Sequence, residues 1–379
     1  MPHAPGSILE RRHAAVRATL TERGLQAAII VSLPNITWLT NFVGSSAVVV
    51  IDHEHVTFIT DSRYVTAVQD LQRGSGACPG FSLCVVEGSY DATLASVLAS
   101  AGYTRVGYEG AHLTVARFHW LERALATPGP APTFVELGNG IEVARSVKDE
   151  YELATLRTAG QMLAEVTRTV LGLPRAGVSE RELALQIDVT IRRAGFEKPA
   201  FETIVASGPN AALPHARPTD RTLGEGDLVV LDFGGVYDSY CVDLTRTVVV
   251  GPVSARAREV YEAVRRAHDA AVEATRPGAS RFDIDAAARD VLTAAGMGAA
   301  FWHGTGHGLG LEVHEEPRIA RRTAQVDASR EAVAPGMVFT IEPGAYFPGW
   351  GGVRIEDDVL VTESGVDVLT QVTTELIAV

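Results

Sequence analysis

Residues Val229–Val250 read VVLDFGGVYDSYCVDLTRTVVV: an apolar run, a cluster of Gly, Tyr, Asp and Ser, then a second run rich in β-branched residues. Two such runs around turn-forming residues predict a β-hairpin. With the midpoint between Tyr237 and Asp238, Asp232 and Asp243 stand opposite one another. Directly opposed residues on one face have Cβ atoms about 4.5–5.5 Å apart, close enough for two carboxylates to grip a metal pair about 3.5–4 Å across. Residues Met337–Thr362, MVFTIEPGAYFPGWGGVRIEDDVLVT, repeat the device. Glu342 and Glu356 are equidistant from Gly349 in a Pro/Gly/Trp-rich connection. Most acids near turns are simply solvated, but these are flanked by Val, Leu, Ile and Phe. Four acids brought together in apolar strands call for positive charge between them, which divalent cations would supply.

The third stretch, Phe301–Arg318, reads FWHGTGHGLGLEVHEEPR and holds His303, His307 and His314, three of the chain's eleven histidines. Its glycines permit turns closed to other residues and leave the imidazoles uncrowded. The order H-E-x-x-H of a zincin helix is missing, as are the glycine spacing of a dinucleotide fingerprint and the Gly-Lys-Ser/Thr of a phosphate loop. A set of four carboxylates and one imidazole, without thiolate, suits Mn²⁺ best and tolerates Co²⁺ or Zn²⁺. Thr245, two residues from Asp243, is placed to orient it. Arg354 and Asp358 share the strand face of Glu356, where Arg354 would brace the acids and Asp358 would stand behind them.

On these residues the chain resembles the M24 metallopeptidases of the pita-bread fold, which include Xaa-Pro aminopeptidases, Xaa-Pro dipeptidases (prolidases) and methionine aminopeptidases. The resemblance covers roughly residues 148–379. It rests on Asp232, on Asp243 followed by Thr245-Arg246-Thr247, on His307 in Gly-His-Gly, on Glu342 in Ile-Glu-Pro-Gly, and on Glu356 in Arg-Ile-Glu-Asp. The family's substrate-handling histidines match His215, in AALPHARP, and His314. The resemblance implies two divalent metal ions per subunit held by Asp232, Asp243, His307, Glu342 and Glu356. It also implies a metal-bridging hydroxide as nucleophile, with Glu342 carrying the proton to the leaving proline nitrogen. His215 and His314 would surround the scissile bond, with His303, Arg318 and Tyr346 binding substrate. Thr245 and Arg354 would support the ligands.

A domain-sized segment precedes the match, which favours the proline-specific branch over the methionine aminopeptidases. Helix-like stretches (Ile8–Arg23, Ser89–Ala101, Val115–Ala126) alternate there with strand-like ones (Ala27–Val31, Ala47–Ile51, Val56–Thr60, Arg105–Tyr108), as in an α/β domain. Gly24 and Gly102 stand where helices should stop. The fold class expected is therefore α/β: a smaller N-terminal creatinase/prolidase-like domain, residues 1–143, and a pita-bread catalytic domain, residues 144–379. The join lies within Leu137–Glu150. The first catalytic-domain helix is expected over Lys148–Leu173, and another over Ser254–Thr275. Ser179 with Glu182 and Ser280 with Asp283 have capping-box spacing. The resemblance implies two αβ halves, one contributing each hairpin.

A formal net charge of −13 argues against nucleic acid and anionic membranes as partners. The three cysteines, Cys78, Cys84 and Cys241, cannot all pair and suggest a reducing compartment. With no apolar leader or membrane-length run, a cytoplasmic protein is expected. The substrate expected is a proline-containing peptide or dipeptide. Arg318 would receive a free carboxylate, but family members of both kinds carry an Arg there, so dipeptidase and aminopeptidase stay open. In relatives the N-terminal domain often closes over a partner subunit's site. A homodimer is implied, in which Trp38, Asp61, Arg63 and Tyr64 limit substrate length. The rivals are a metal-free creatinase-like hydrolase and a pseudo-peptidase peptide-binding module. The full ligand set argues against both.

Overall fold

In the computed structural model, which describes residues 3–126, 131–323 and 331–379, the chain forms two units, Met1–Arg145 and Ser146–Val379. The first is built on a sheet of β1 (Ala27–Ile30), β2 (Val48–Asp52), β3 (Val56–Thr60), β4 (Phe81–Val85), β5 (Arg105–Tyr108) and β6 (Thr133–Glu136), in spatial order β4-β3-β2-β1-β5-β6. Central β1, AAII, is enclosed on both faces, so it is uniformly apolar. Helices Gly6–Arg23 and Tyr90–Ala101 end at Gly24 and Gly102, whose φ values of 60° and 68° suit glycine. Trp38 is buried beneath the Arg12 guanidinium, 5.2 Å from it. Asp61 accepts from Arg63 at 2.9 Å and from the Tyr90 hydroxyl at 2.8 Å.

Five further elements of this unit have weak sequence signals. Helices Leu33–Thr40 and Val65–Arg73 are too short to display a long period. The edge strands β4 and β6 are half exposed, and helix Gly140–Ser146 spans two turns. Among the described residues, no helix is long and apolar enough to cross a membrane.

The second unit starts with helix Glu150–Val170. Asp149 caps it, accepting the Tyr151 and Glu152 N–H groups, while Glu152 reaches back to the Asp149 N–H in a full capping box. Ser179 caps helix Glu180–Arg193 through the Glu182 N–H, and Ser254 caps helix Ala255–Ala274. Ser280 caps helix Arg281–Ala294, but through Phe282 rather than Asp283.

The strands are β7 (Lys198–Pro199), β8 (Ile204–Ser207), β9 (Leu228–Tyr237), β10 (Tyr240–Val249), β11 (Gly306–Gly308), β12 (Glu315–Ile319), β13 (Val338–Ile341), β14 (Gly344–Phe347), β15 (Gly351–Arg354), β16 (Asp357–Val361), β17 (Val366–Val368) and β18 (Ile377–Ala378). One sheet has the order β18-β10-β9-β7, with β8 also on β9, and the other β12-β11-β13-β16-β17. The first two helices pack their apolar faces on β8–β10, and the second pair pack on β13–β17. Two αβ halves thus form, each with its own acidic hairpin, and their cores interlock: Val338 and Leu360 join the first cluster, Leu228 and Val249 the second.

The second hairpin has the register read from the sequence. Ile341 pairs with Asp357 and Gly344 with Arg354, so the ladder closes symmetrically about Gly349, with Glu342 and Glu356 in the gap between its two parts. The first does not. Tyr237 pairs with Tyr240, which leaves Asp238 and Ser239 as a two-residue turn with φ of 48° and 69°. Asp232 therefore faces Thr245, and Asp243 faces Gly234, so the two acids are diagonal rather than directly opposed. They still share a face, because Asp243 and Thr245 are two residues apart on β10.

Non-glycine residues hold this left-handed turn because tertiary contacts fix it. The Tyr151 hydroxyl donates to the Asp238 carboxylate, and the Glu197 carboxylate accepts the Ser239 N–H at 3.1 Å.

The two halves are joined where the hairpins meet. The Glu356 N–H donates to the Thr245 carbonyl at 3.0 Å. Arg354 N–H donates to Thr247 Oγ1 at 3.1 Å, and the Asp243 N–H to Asp358 Oδ2 at 3.0 Å.

Gly234, opposite Asp243, has no room for a side chain: a Cβ there would lie 2.2 Å from the Val242 carbonyl oxygen and 2.9 Å from the Phe201 ring. Gly234→Ala is expected to destabilise by about 2 kcal/mol or more, read as a lowered midpoint in urea unfolding. Gly365→Ala, where a Cβ meets nothing within 4 Å, should change stability by less than about 0.5 kcal/mol.

Candidate metal centre

Where the two hairpins and the glycine-rich stretch converge, a cavity of about 650 Å³ opens, with Asp232, Asp243, His307, Glu342 and Glu356 in its walls. They come from three local devices. Asp232 and Asp243 project from the long hairpin, and His307 from β11, whose glycine neighbours let the chain run close to β13 and β12: a Cβ at Gly306 would lie 1.8 Å from the Thr340 carbonyl oxygen, and one at Gly308 2.1 Å from that of Glu316. Glu342 and Glu356 occupy the break between the two parts of the second hairpin. Pro343 cannot supply a ladder N–H there, and the Glu342 N–H turns to the Thr305 carbonyl at 2.7 Å.

Asp243, His307 and Glu356 offer ligand atoms all within 4.8 Å of one another. Oδ1 of Asp232 and Oδ1 of Asp243 are buried and accept no hydrogen bond. His307 Nε2 faces Glu342 Oε1 at 3.5 Å, while its Nδ1 lies 3.1 Å from the Gly308 carbonyl. A proton on Nδ1, donated to that carbonyl, turns the Nε2 lone pair towards a carboxylate oxygen. Two acceptors face each other unless a proton or a cation lies between them. This donor set, rich in oxygen with one neutral imidazole and orphaned buried acceptors, fits divalent cations.

The electrostatics agree. Burial, followed by the charges of Glu356, Asp232 and Asp358, pushes the Asp243 carboxyl well above the usual range. Burial, followed by Glu342 and Asp232, does the same to Glu356. Glu342 is pushed by burial up to about 8, against the opposing pull of Arg354. Burial, followed by the neighbouring His314, lowers His307 to about 3, so the imidazole is neutral and its lone pair is free to donate.

Around these groups runs a set of supporting contacts. The Arg354 guanidinium bonds Asp232 Oδ2, donates to the Tyr346 hydroxyl at 3.0 Å and to Thr245 Oγ1 at 3.1 Å, and is buried. Thr245 Oγ1 donates to Glu356 Oε2 at 2.5 Å. Thr245 therefore orients Glu356 and not, as its spacing suggested, Asp243. The residue behind Asp243 is Asp358, whose carboxylate accepts the Asp243 N–H.

His215, His303, His314 and Arg318 also line the cavity. The His314 ring lies 4.3 Å from that of His307, and burial followed by Arg318 lowers its pKa. His303, lowered to about 4 by burial and then by Arg354, sits 2.8 Å from the Tyr346 hydroxyl. Tyr346, expected to bind substrate, stands behind the cavity: it is 1% exposed, and its hydroxyl is engaged by Arg354 and His303. Cys241 is buried, burial pushes its thiol up to about 12, and its N–H donates to the Gly310 carbonyl.

Other contributors were not among the expected site residues, although Arg246 belongs to the Thr-Arg-Thr motif. Thr340 Oγ1 accepts the His307 N–H at 3.1 Å and lies 3.5 Å from Glu342 Oε1. Arg246 donates to the Glu356 carbonyl at 2.6 Å while pairing with Asp357 at 2.9 Å. Asp285, which looks like an ordinary helix residue, accepts the Thr305 N–H and hydroxyl and so anchors the glycine-rich stretch.

The family model of metallopeptidase family M24 matches residues 154–363, and that of the creatinase/prolidase N-terminal domain matches residues 12–147. The Xaa-Pro dipeptidase of Pyrococcus furiosus is 41% identical over 244 residues, 64% of this chain and 68% of that protein. Among solved structures, the Xaa-Pro dipeptidase from Bacillus anthracis is 33% identical with a TM-score of 0.90, covering 98% of this chain and 100% of that one. The X-Pro aminopeptidase from Thermotoga maritima is 31% identical with a TM-score of 0.83, covering 95% and 99%. The chain belongs to metallopeptidase family M24, with a creatinase/prolidase-type N-terminal domain ahead of a pita-bread peptidase domain.

Proposed function

We propose that this protein hydrolyses the Xaa-Pro bond of dipeptides or of peptide N-termini, using two divalent cations held by Asp232, Asp243, His307, Glu342 and Glu356. The observation that carries the reading is the convergence of those groups, with orphaned Asp232 and Asp243 oxygens, on a cavity that His215, His303, His314 and Arg318 also line. When bound, the cations supply Lewis acidity and a water of lowered pKa.

The chain's own residues do the rest. Glu342, at the cavity wall beside His307, is the carboxylate placed to take the attacking water's proton and pass it to the proline nitrogen. That nitrogen belongs to a tertiary amide and must be protonated to leave. His215 and His314 flank the scissile bond and donate to the oxygen that develops charge. His303 lies along the proline side of the pocket, and Arg318 offers its guanidinium to a substrate carboxylate. Arg354 and Thr245 hold Asp232 and Glu356 in place.

Mn²⁺ is the metal the donor set favours, with Co²⁺ or Zn²⁺ tolerated. A cytoplasmic homodimer completes the proposal, resting on the cysteine usage and on the family resemblance.

Incubating the Mn²⁺-loaded protein with Ala-Pro, Ala-Pro-Ala and an Xaa-Pro-Pro peptide, and following products by mass spectrometry, should show proline or prolyl peptides released. Cleavage of Ala-Pro alone marks a dipeptidase, and cleavage of all three an aminopeptidase. Full activity in Asp243→Ala or Glu356→Ala would sink the two-cation reading. Thr245→Val, which keeps the shape but loses the bond to Glu356, is expected to weaken Mn²⁺ binding about 10- to 100-fold in a calorimetric titration.

A third expectation concerns pH. The folded-state pKa of Glu342 is raised, so a proton is bound more tightly in the folded than in the unfolded chain. Its contribution to metal-free stability is fully present below the unfolded carboxylate range and lost as pH rises towards about 8. Asp243 and Glu356 act in the same direction. Below about pH 7 the buried His303, His307 and His314, whose pKa values are lowered, act in the opposite direction, so the metal-free protein should lose melting temperature chiefly between about pH 7 and pH 8, and saturating Mn²⁺ should flatten or reverse that loss.

A further inference from the structure

His215 stands exposed on a loop that leaves β8 at Ser207, makes a 3-10 turn at Gly208–Ala212 and returns past Thr219. Locally, the Ala216 N–H donates to the Leu213 carbonyl at 3.2 Å and Ala216 packs with Ala206, Ala211 and Val230, so the chain turns at Pro214 and His215. The two ends of the loop, however, meet on one side chain. Glu180, the first residue of helix Glu180–Arg193, is fully buried. Its Oε1 accepts the Ser207 N–H at 2.8 Å, the Ser207 hydroxyl at 2.7 Å and Asn210 Nδ2 at 3.0 Å. Its Oε2 accepts the Thr219 N–H at 3.0 Å and the Thr219 hydroxyl at 2.6 Å, with Asn210 Nδ2 at 3.1 Å.

Every one of these donors belongs to the loop or its ends. The base so closed lies on the strand that carries the site, since β8 pairs Ile204 with Asp232 and Ser207 with Val229. At the tip, Arg354 Nη1 donates to the Pro214 carbonyl at 3.2 Å, beside His215.

We propose that Glu180 is a positioning residue: its carboxylate closes the Ser207–Thr219 loop and thereby sets where His215 stands over the substrate cavity. The proposal rests on the reading of His215 as a substrate-facing group. Only an acceptor with two oxygens can serve both ends of the loop. A Gln would turn an amide NH₂ towards donors on one side, and an Asp is one methylene too short to reach both. Glu180 touches neither the cavity nor the metal-ligand candidates, so its effect is transmitted through the backbone of Ser207 and Thr219.

The test compares Glu180→Gln and the milder Thr219→Val with His215→Ala, in the Mn²⁺-loaded full chain. Bound metal should match the wild type in all three. Both loop variants should accelerate hydrogen–deuterium exchange over residues 208–218, and Glu180→Gln should lower kcat/KM for Ala-Pro about tenfold or more. Combined with His215→Ala, Glu180→Gln should cost no more than about twofold further, because both changes remove the same placed imidazole. Fully multiplicative losses, or unchanged exchange and kcat/KM in Thr219→Val, would overturn the proposal. Should Glu180→Gln not fold, Thr219→Val and Ser207→Ala decide it by the same readouts. A metal-loaded wild type that leaves Ala-Pro intact defeats the Xaa-Pro reading instead, and exchange over residues 208–218 then judges Glu180 by itself.

Discussion

The structure turns on mutual repulsion among carboxylates that the fold forces together. Asp232, Asp243, Glu342, Glu356 and Asp358 sit on facing hairpins in or behind one cavity. Asp232, Asp243, Glu356 and Asp358 are buried there, so the hydration that would favour full ionisation is largely lost to them. Until a cation arrives, the cluster keeps protons that free carboxylates would lose, and Arg354 supplies part of the compensating charge. A cavity built in this way is destabilised by its own design and has a strong electrostatic reason to take up divalent ions.

The contacts that manage this repulsion are also the ones that join the two halves. Thr245 passes its carbonyl to the Glu356 N–H and its hydroxyl to the Glu356 carboxylate. Arg354 lies on the second hairpin and bonds Asp232 on the first. Arg246, from the first hairpin, holds the Glu356 carbonyl and Asp357 on the second. The sheet junction and the ligand geometry are therefore one construction, and a change that loosens one loosens the other. His215 and His314 are held differently: His215 follows the 3-10 turn Gly208–Ala212 and His314 lies between β11 and β12, outside the strands that carry Asp232, Asp243 and His307.

Much of this was legible along the chain because its signals are local. Glu342 and Glu356 are placed by a symmetric hairpin whose register follows from where its turn residues lie. Ser179 and Ser280 announce their helices by side-chain chemistry within one turn. The first hairpin was misread by one position because its turn uses Asp238 and Ser239 at positive φ, residues that seldom adopt it without help. That help comes from Tyr151 and Glu197, distant in sequence. The same holds for Thr245: strand spacing puts it beside Asp243, but the hairpin crossing puts its hydroxyl on Glu356.

By itself the sequence determined the alternation of elements, the two acidic hairpins, the identity of the candidate ligands and the absence of thiolate among them. These are properties of residue type and short-range spacing. The tertiary structure decided which acid faces which neighbour, that Tyr346 lies behind the cavity rather than in it, and that Arg246, Thr340, Asp285 and Glu180 serve the site. Those facts depend on contacts between segments tens to more than a hundred residues apart, and such contacts exist only once the two sheets have packed, their helices have excluded water and the buried polar groups have found partners.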